Sequence, residues 1–125
     1  MNIRETVFIA VLFALVSGCA HKVRNFQFYN KTDINIYADV YGFENPPPVG
    51  DLYPFPKGGS GATMGPMPLP KEAIMAWNED LESHSNGFSH MQNLSLASLT
   101  NWSSDATLVF EFQSNRVWRV FCRPR

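Results

Sequence analysis

The chain is poor in cysteine, with only Cys19 and Cys122 among 125 residues. A small secreted domain stapled by several disulfides would need more than that. Charge is also scarce. Asp, Glu, Lys and Arg make up 17% of the chain, and the signs nearly cancel to a formal net charge of −1. No broad field is therefore offered to nucleic acid or to an anionic surface. No apolar run reaches the roughly 20 residues that a spanning helix requires. Strand-like and helix-like stretches do not alternate, and no internal repeat is visible, so neither an α/β enzyme fold nor a repeat array is expected.

What is present begins with a short apolar run over residues 7–16, preceded by Arg4 and closed by Val16-Ser17-Gly18-Cys19. A positive start, an apolar stretch of about ten residues and small residues before the cut describe a secretory signal. Its aliphatic-Ser-Gly-Cys ending resembles the bacterial lipoprotein signal at all four positions. The resemblance implies cleavage after residue 18, diacylglycerol on the Cys19 thiol and acylation of the new amino terminus. Several acyl chains on one residue, palmitate among them, give stable anchoring where one would not. Ala20 rather than Asp follows the cysteine. By the same resemblance this favours the periplasmic face of the outer membrane, with the inner membrane as the alternative.

The expected organisation is a signal peptide over 1–18, a lipidated Cys19 with a polar tether to residue 25, and one β-rich domain over 26–125. A first strand is expected at 26–29, then a turn at Asn30-Lys31-Thr32-Asp33. Residues 34–41 alternate, with Ile34, Ile36, Ala38 and Val40 on one face and Asn35, Tyr37, Asp39 and Tyr41 on the other. A period of two marks a half-buried strand. Residues 42–70 carry eight of the nine prolines and six glycines, yet also Leu52, Tyr53, Phe55, Met64, Met67 and Leu69. They are expected to form an ordered, extended, functional loop packed against a sheet. A short strand is expected at 73–77, a polar loop at 78–90, and a further strand or one-turn helix near Leu94 and Leu96. Residues 107–112 and 116–122 form the clearest hairpin, with Ser114-Asn115 at its turn. The fold class is mainly β: a small antiparallel sheet or sandwich with at most one short helix. Cys122, left single once Cys19 is lipidated, is expected to be a buried thiol, with an intermolecular bridge as the alternative.

Catalytic patterns are weak. Gly58-Gly59-Ser60-Gly61-Ala62 approaches the Gly-x-Ser-x-Gly nucleophile elbow, but that motif needs a strand before it and a helix after it, and prolines flank it here. His84 and His90 lack a visible third metal ligand. Glu79, Asp80 and Glu82 form an acidic turn without a sugar-binding cleft, suited instead to contact with a basic partner. Arg116, Arg119, Arg123 and Arg125 fit a charged sheet edge. No catalytic constellation, metal site or cofactor is expected. Binding is the better reading, because Tyr and Phe in Pro-rich extended segments supply rigid contact area at low entropy cost.

The motif order carries a further resemblance. A lipobox is followed by Tyr29-Asn30-Lys31-Thr32-Asp33 leading a strand. The glycine patch at 58–61 and Pro68-Leu69-Pro70 come next, then a strand ending in Trp77 and a closing hairpin. This resembles a set of proteobacterial lipoproteins with domains of unknown function, many encoded beside type VI secretion lipase effectors as their immunity proteins. Relatives often carry a Cys pair near the glycine patch, where this chain has Ala62, Thr63 and Met64. The resemblance implies a lipid-anchored periplasmic protein, not an enzyme, that binds and neutralises a toxic phospholipase. An accessory lipoprotein of an envelope complex is the alternative. Tyr53, Phe55, Glu79, Asp80 and Glu82 are the candidate partner contacts.

If the lipobox is read by the cell, Cys19→Ser abolishes lipidation and leaves uncleaved precursor. Metabolic labelling with a clickable fatty acid checks this, and equal label in variant and parent would refute the anchor.

Overall fold

Large apolar residues alternating with polar ones build eight strands in chain order, seen in a computed structural model that describes residues 21–80, 87–100, 102–103 and 105–124. The expected signal peptide, Cys19, Glu82, His84 and Arg125 lie outside the described residues. The strands are β1 Lys22–Asn30, β2 Ile36–Tyr41, β3 Gly50–Leu52 and β4 Ser60–Pro68, then β5 Glu72–Glu79, β6 His90–Ser95, β7 Thr107–Phe112 and β8 Trp118–Arg123. They form two four-stranded sheets, ordered β4-β1-β7-β8 and β3-β2-β5-β6. Only the β1–β7 pairing is parallel. The fold is a β-sandwich, and no helix occurs among the described residues.

The inner faces follow the alternation. Phe26 and Phe28 of β1 and Leu108, Phe110 and Phe112 of β7 meet Ile36, Ala38 and Val40 of β2 and Ala73, Met75 and Trp77 of β5 in one core. Phe28 stacks on Phe110 at 5.2 Å, and Trp77 meets Phe112 edge-on at 5.3 Å. Offset and edge-to-face pairs of this kind add to the burial of the rings themselves. Cys122 is free and buried, and burial pushes its thiol pKa up, which keeps it protonated and unreactive.

β1 begins at Lys22, four residues before the strand expected from the sequence. The reason is a bulge. Val23 pairs with Met67 and Asn25 with Thr63, so one β1 residue stands opposite three on β4. A bulge shifts the side-chain alternation, which lets Val23 and Phe26 both face inward although three positions separate them. The Pro/Gly-rich stretch 42–70 is ordered and extended as expected, and it also contributes an edge strand to each sheet, β3 and β4. Proline is tolerated on an edge because its missing N–H faces outward. Pro66 and Pro68 lie in β4, whose Met67 reaches the core. The glycine patch has a packing cause: a Cβ on Gly59 would stand 2.3 Å from the Phe28 carbonyl oxygen and 2.7 Å from the Tyr29 ring.

Side-chain amides join the two sheets at both open sides. On one side, Gln92 of β6 accepts from the Trp118 N–H at 2.7 Å and donates to the Trp118 carbonyl at 2.9 Å, reaching β8. On the other, the fully buried Asn30 donates to the carbonyls of Ile34 at 2.6 Å and Leu52 at 3.1 Å. Its Oδ1 accepts from the Thr32 N–H and hydroxyl. All four hydrogen-bonding positions of the amide are filled.

Asn30→Asp sets a carboxylate against two carbonyls that need donors and should destabilise the domain by about 3 kcal/mol or more. A urea melt checks this, with Asn30→Ala expected to be the milder change. An unchanged midpoint in both variants would show that the network carries no stability.

Candidate functional site

The sandwich has two ends. One gathers the C-terminus of β1, the segment 31–35, the residues after β3, the end of β5 and the 113–117 turn. There the chain leaves β3 as Tyr53-Pro54-Phe55, and both rings point to solvent, 56% and 48% exposed. Their backbone is held. The Phe55 N–H donates to the Asn30 carbonyl at 2.6 Å, and the Lys57 N–H closes a turn onto Pro54 at 3.0 Å. Lys31 Nζ lies 3.4 Å from the centre of the Phe55 ring and 5.5 Å from that of Tyr29, a cation–π arrangement that orients the Phe55 ring.

Beside Tyr53 a shallow groove of about 200 Å³ is lined by Asn35, Ile36, Tyr37, Asp51 and Asp80. Tyr37 is paired across β2–β3 with Asp51 and stacks on Phe88 at 6.0 Å. Asp80 adopts a positive φ of 25° just past β5, where its N–H donates to the Asn35 carbonyl at 2.8 Å. The groove thus joins an aromatic wall to two carboxylates, which suits a partner surface with basic and apolar groups side by side.

Tyr53 and Asp80, far apart in sequence, therefore line one groove, while Phe55, two residues further along the same segment, lies against Lys31. Glu79 is placed differently. Its side chain is only 15% exposed and reaches across to the other sheet, with Oε1 3.1 Å from Arg116 Nε and Oε2 3.1 Å from His90 Nε2. Its alternation explains this: opposite Ile36 in the β2–β5 ladder, it follows Trp77 on the inward face. The carboxylate ties the hairpin turn to β5. His90 also stacks on Trp77 at 5.2 Å. No group of three or more metal-ligating side chains occurs among the described residues. Ser60 opens edge strand β4 with no helix after it, so it lacks the elbow geometry.

Sequence reasoning missed Lys31 and Asp51 as members of this surface, because only the β2–β3 pairing and the turn after β1 bring them there. It also missed Asp39. This residue lies on the outer face of β2 opposite Ala76, between Tyr37 and Tyr41, and no cation pairs with it among the described residues. Burial raises its carboxyl pKa. No family model, curated protein or solved structure matches the chain.

The Asp39 shift has a sign that can be checked. A carboxyl whose folded pKa is raised makes ionisation cost the folded state. That cost is absent in acid, below the unfolded pKa near 4, and complete above the folded pKa. Asp39→Asn should therefore raise the urea midpoint slightly at pH 7, and the gain should vanish as the pH falls through the carboxylate range. A destabilised variant at pH 7 would show that the charge is compensated.

Proposed function

We propose that the protein is a lipid-anchored periplasmic immunity lipoprotein that binds and neutralises a toxic secreted phospholipase. The observation that carries this reading is the pair Tyr53 and Phe55: exposed aromatic rings on a backbone held by the main-chain carbonyl of the buried Asn30. Aromatic side chains held ready before contact lose little entropy on binding and make effective anchors. The acidic groove at Asp51 and Asp80 supplies charge beside them. Inhibition of this kind needs no chemistry of its own, only occupation of the mouth of the partner's active site. The lipobox at Cys19 supports the place of action, since a phospholipase must reach the membrane on which the inhibitor stands. The motif order shared with lipase-immunity lipoproteins supports the partner class. Glu79 takes no part, because Arg116 and His90 already hold it.

A standard interface buries about 800 Å² on each side, so the contact extends over most of this end of the sandwich. Tyr53→Ala with Phe55→Ala should weaken binding to the phospholipase partner, sought among the products of the neighbouring genes, by about 2 kcal/mol or more, roughly thirtyfold in Kd. The melting curve should barely change, because both rings are exposed. Titration calorimetry and a urea melt on the mature protein read the two effects. Unaltered affinity in a folded double variant would move the interface elsewhere. No complex between the parent protein and that phospholipase at micromolar concentration would overturn the function.

A further inference from the structure

The opposite end of the sandwich is built from the start of β1, the exit of β4, the entry of β5, the exit of β6 and the segment leading into β7. Between them opens an apolar groove of about 170 Å³ whose rim includes His21, Leu69, Pro70, Lys71, Leu99 and Trp102. The rim is rigid. The Leu69 N–H donates to the His21 carbonyl at 2.8 Å, and the Leu96 and Ala97 N–H groups both donate to the Lys71 carbonyl, at 2.8 and 3.1 Å. The His21 and Trp102 rings lie 5.1 Å apart. Leu69, Leu99 and Trp102 pack against the core from outside and stay partly open to solvent. Lys22 and Lys71 beside them are exposed. Tryptophan and leucine with flanking lysine is the chemistry of a membrane–water interface.

Chain length says what covers this rim. Cys19 stands two residues before His21, and two residues span at most about 7 Å. Acyl chains on Cys19 would therefore hold His21 within that distance of the acylated residue's backbone. We infer that this end is a bilayer-contact face, with Trp102, Leu99 and Leu69 in the headgroup region and Lys22 and Lys71 against lipid phosphates. The inference rests on the lipid anchor at Cys19. It stands the domain upright: β1, nine residues long, carries Tyr53 and Phe55 about 26 Å from the surface.

The test reconstitutes the mature lipidated protein in vesicles of phosphatidylethanolamine with phosphatidylglycerol, with lipidation verified by mass. Nitroxide labels are placed singly at Ala97→Cys and Lys57→Cys, two exposed positions at opposite ends. The label at 97 should be severalfold more accessible to oxygen, relative to a water-soluble nickel chelate, than the label at 57. Lipids brominated near the headgroup should quench Trp102, whereas Trp77 and Trp118 are buried in the core. This second measurement needs no substitution. A lipidated protein with both labels equally open to nickel and with Trp102 unquenched would overturn the contact face and leave the anchor standing. Unmodified Cys19 by mass would overturn the anchor, and the contact face with it.

Discussion

The Asn30 amide is the constraint on which the rest of this structure depends. It is fully buried, and each of its two donors and two acceptor positions has a partner. Those partners belong to two places, the crossover to β2 and the end of β3, which the amide ties to the end of β1. A satisfied buried network specifies one arrangement, because every competing arrangement strands a polar group. The effect reaches the surface. The main-chain carbonyl of Asn30 receives the Phe55 N–H, and the neighbouring Lys31 N–H donates to the Phe112 carbonyl at 2.7 Å. One residue thus ties the core, the sheet order and the exposed aromatic pair together.

The same logic accounts for the other polar groups between the sheets. Gln92 behaves as a short piece of strand, offering β8 the donor and acceptor that a further strand would offer. Glu79 bridges β5 to the hairpin through Arg116. These contacts close a sandwich whose edges would otherwise present unpaired backbone. Against them stand, among the described residues, the indole N–H groups of Trp77 and Trp118, buried without a partner, and the Asp39 carboxylate on an outer face. The two indoles belong to the aromatic cluster with Phe112, where the area buried offsets the lost hydrogen bonds. Asp39 has no such compensation among the described residues.

Period-two patterning made β2 legible in the sequence, and the apolar hairpin pattern made β7 and β8 legible, although Val109 on the other face of β7 is buried as well. β1 was legible only from Phe26 onward, since the bulge opposite residues 64–66 breaks its alternation. β3 and β4 were hidden by proline and glycine, which exclude a central strand but not an edge. At the candidate site, Tyr53 and Phe55 could be singled out as large rings in a segment too rich in proline to bury them. Asp80 stood in an acidic turn that pattern alone could not divide into exposed and paired members. Glu79 went the other way because its partner, Arg116, is distant in sequence, and no local signal reports that pairing. Asn30 read as a turn residue, since asparagine favours turns far more often than cores. Its burial is a property of the crossover and not of the residue type.

The topology bears on how such a domain would work on a membrane. The chain enters through β1, which lies inside its sheet with β4 on one side and β7 on the other. Any pull from an anchor at Cys19 would load a strand bonded along both edges, so displacing it means breaking two ladders at once instead of peeling one edge strand. The far end of that strand is Asn30, whose network holds the segment carrying Tyr53 and Phe55. An anchored domain of this design would transmit load from lipid to binding surface through a continuous ladder of hydrogen bonds and would present its aromatic rings without a flexible joint. Under the proposed function that rigidity would matter, because a tether would limit the search to a plane and the fixed end would set the height at which the partner is met.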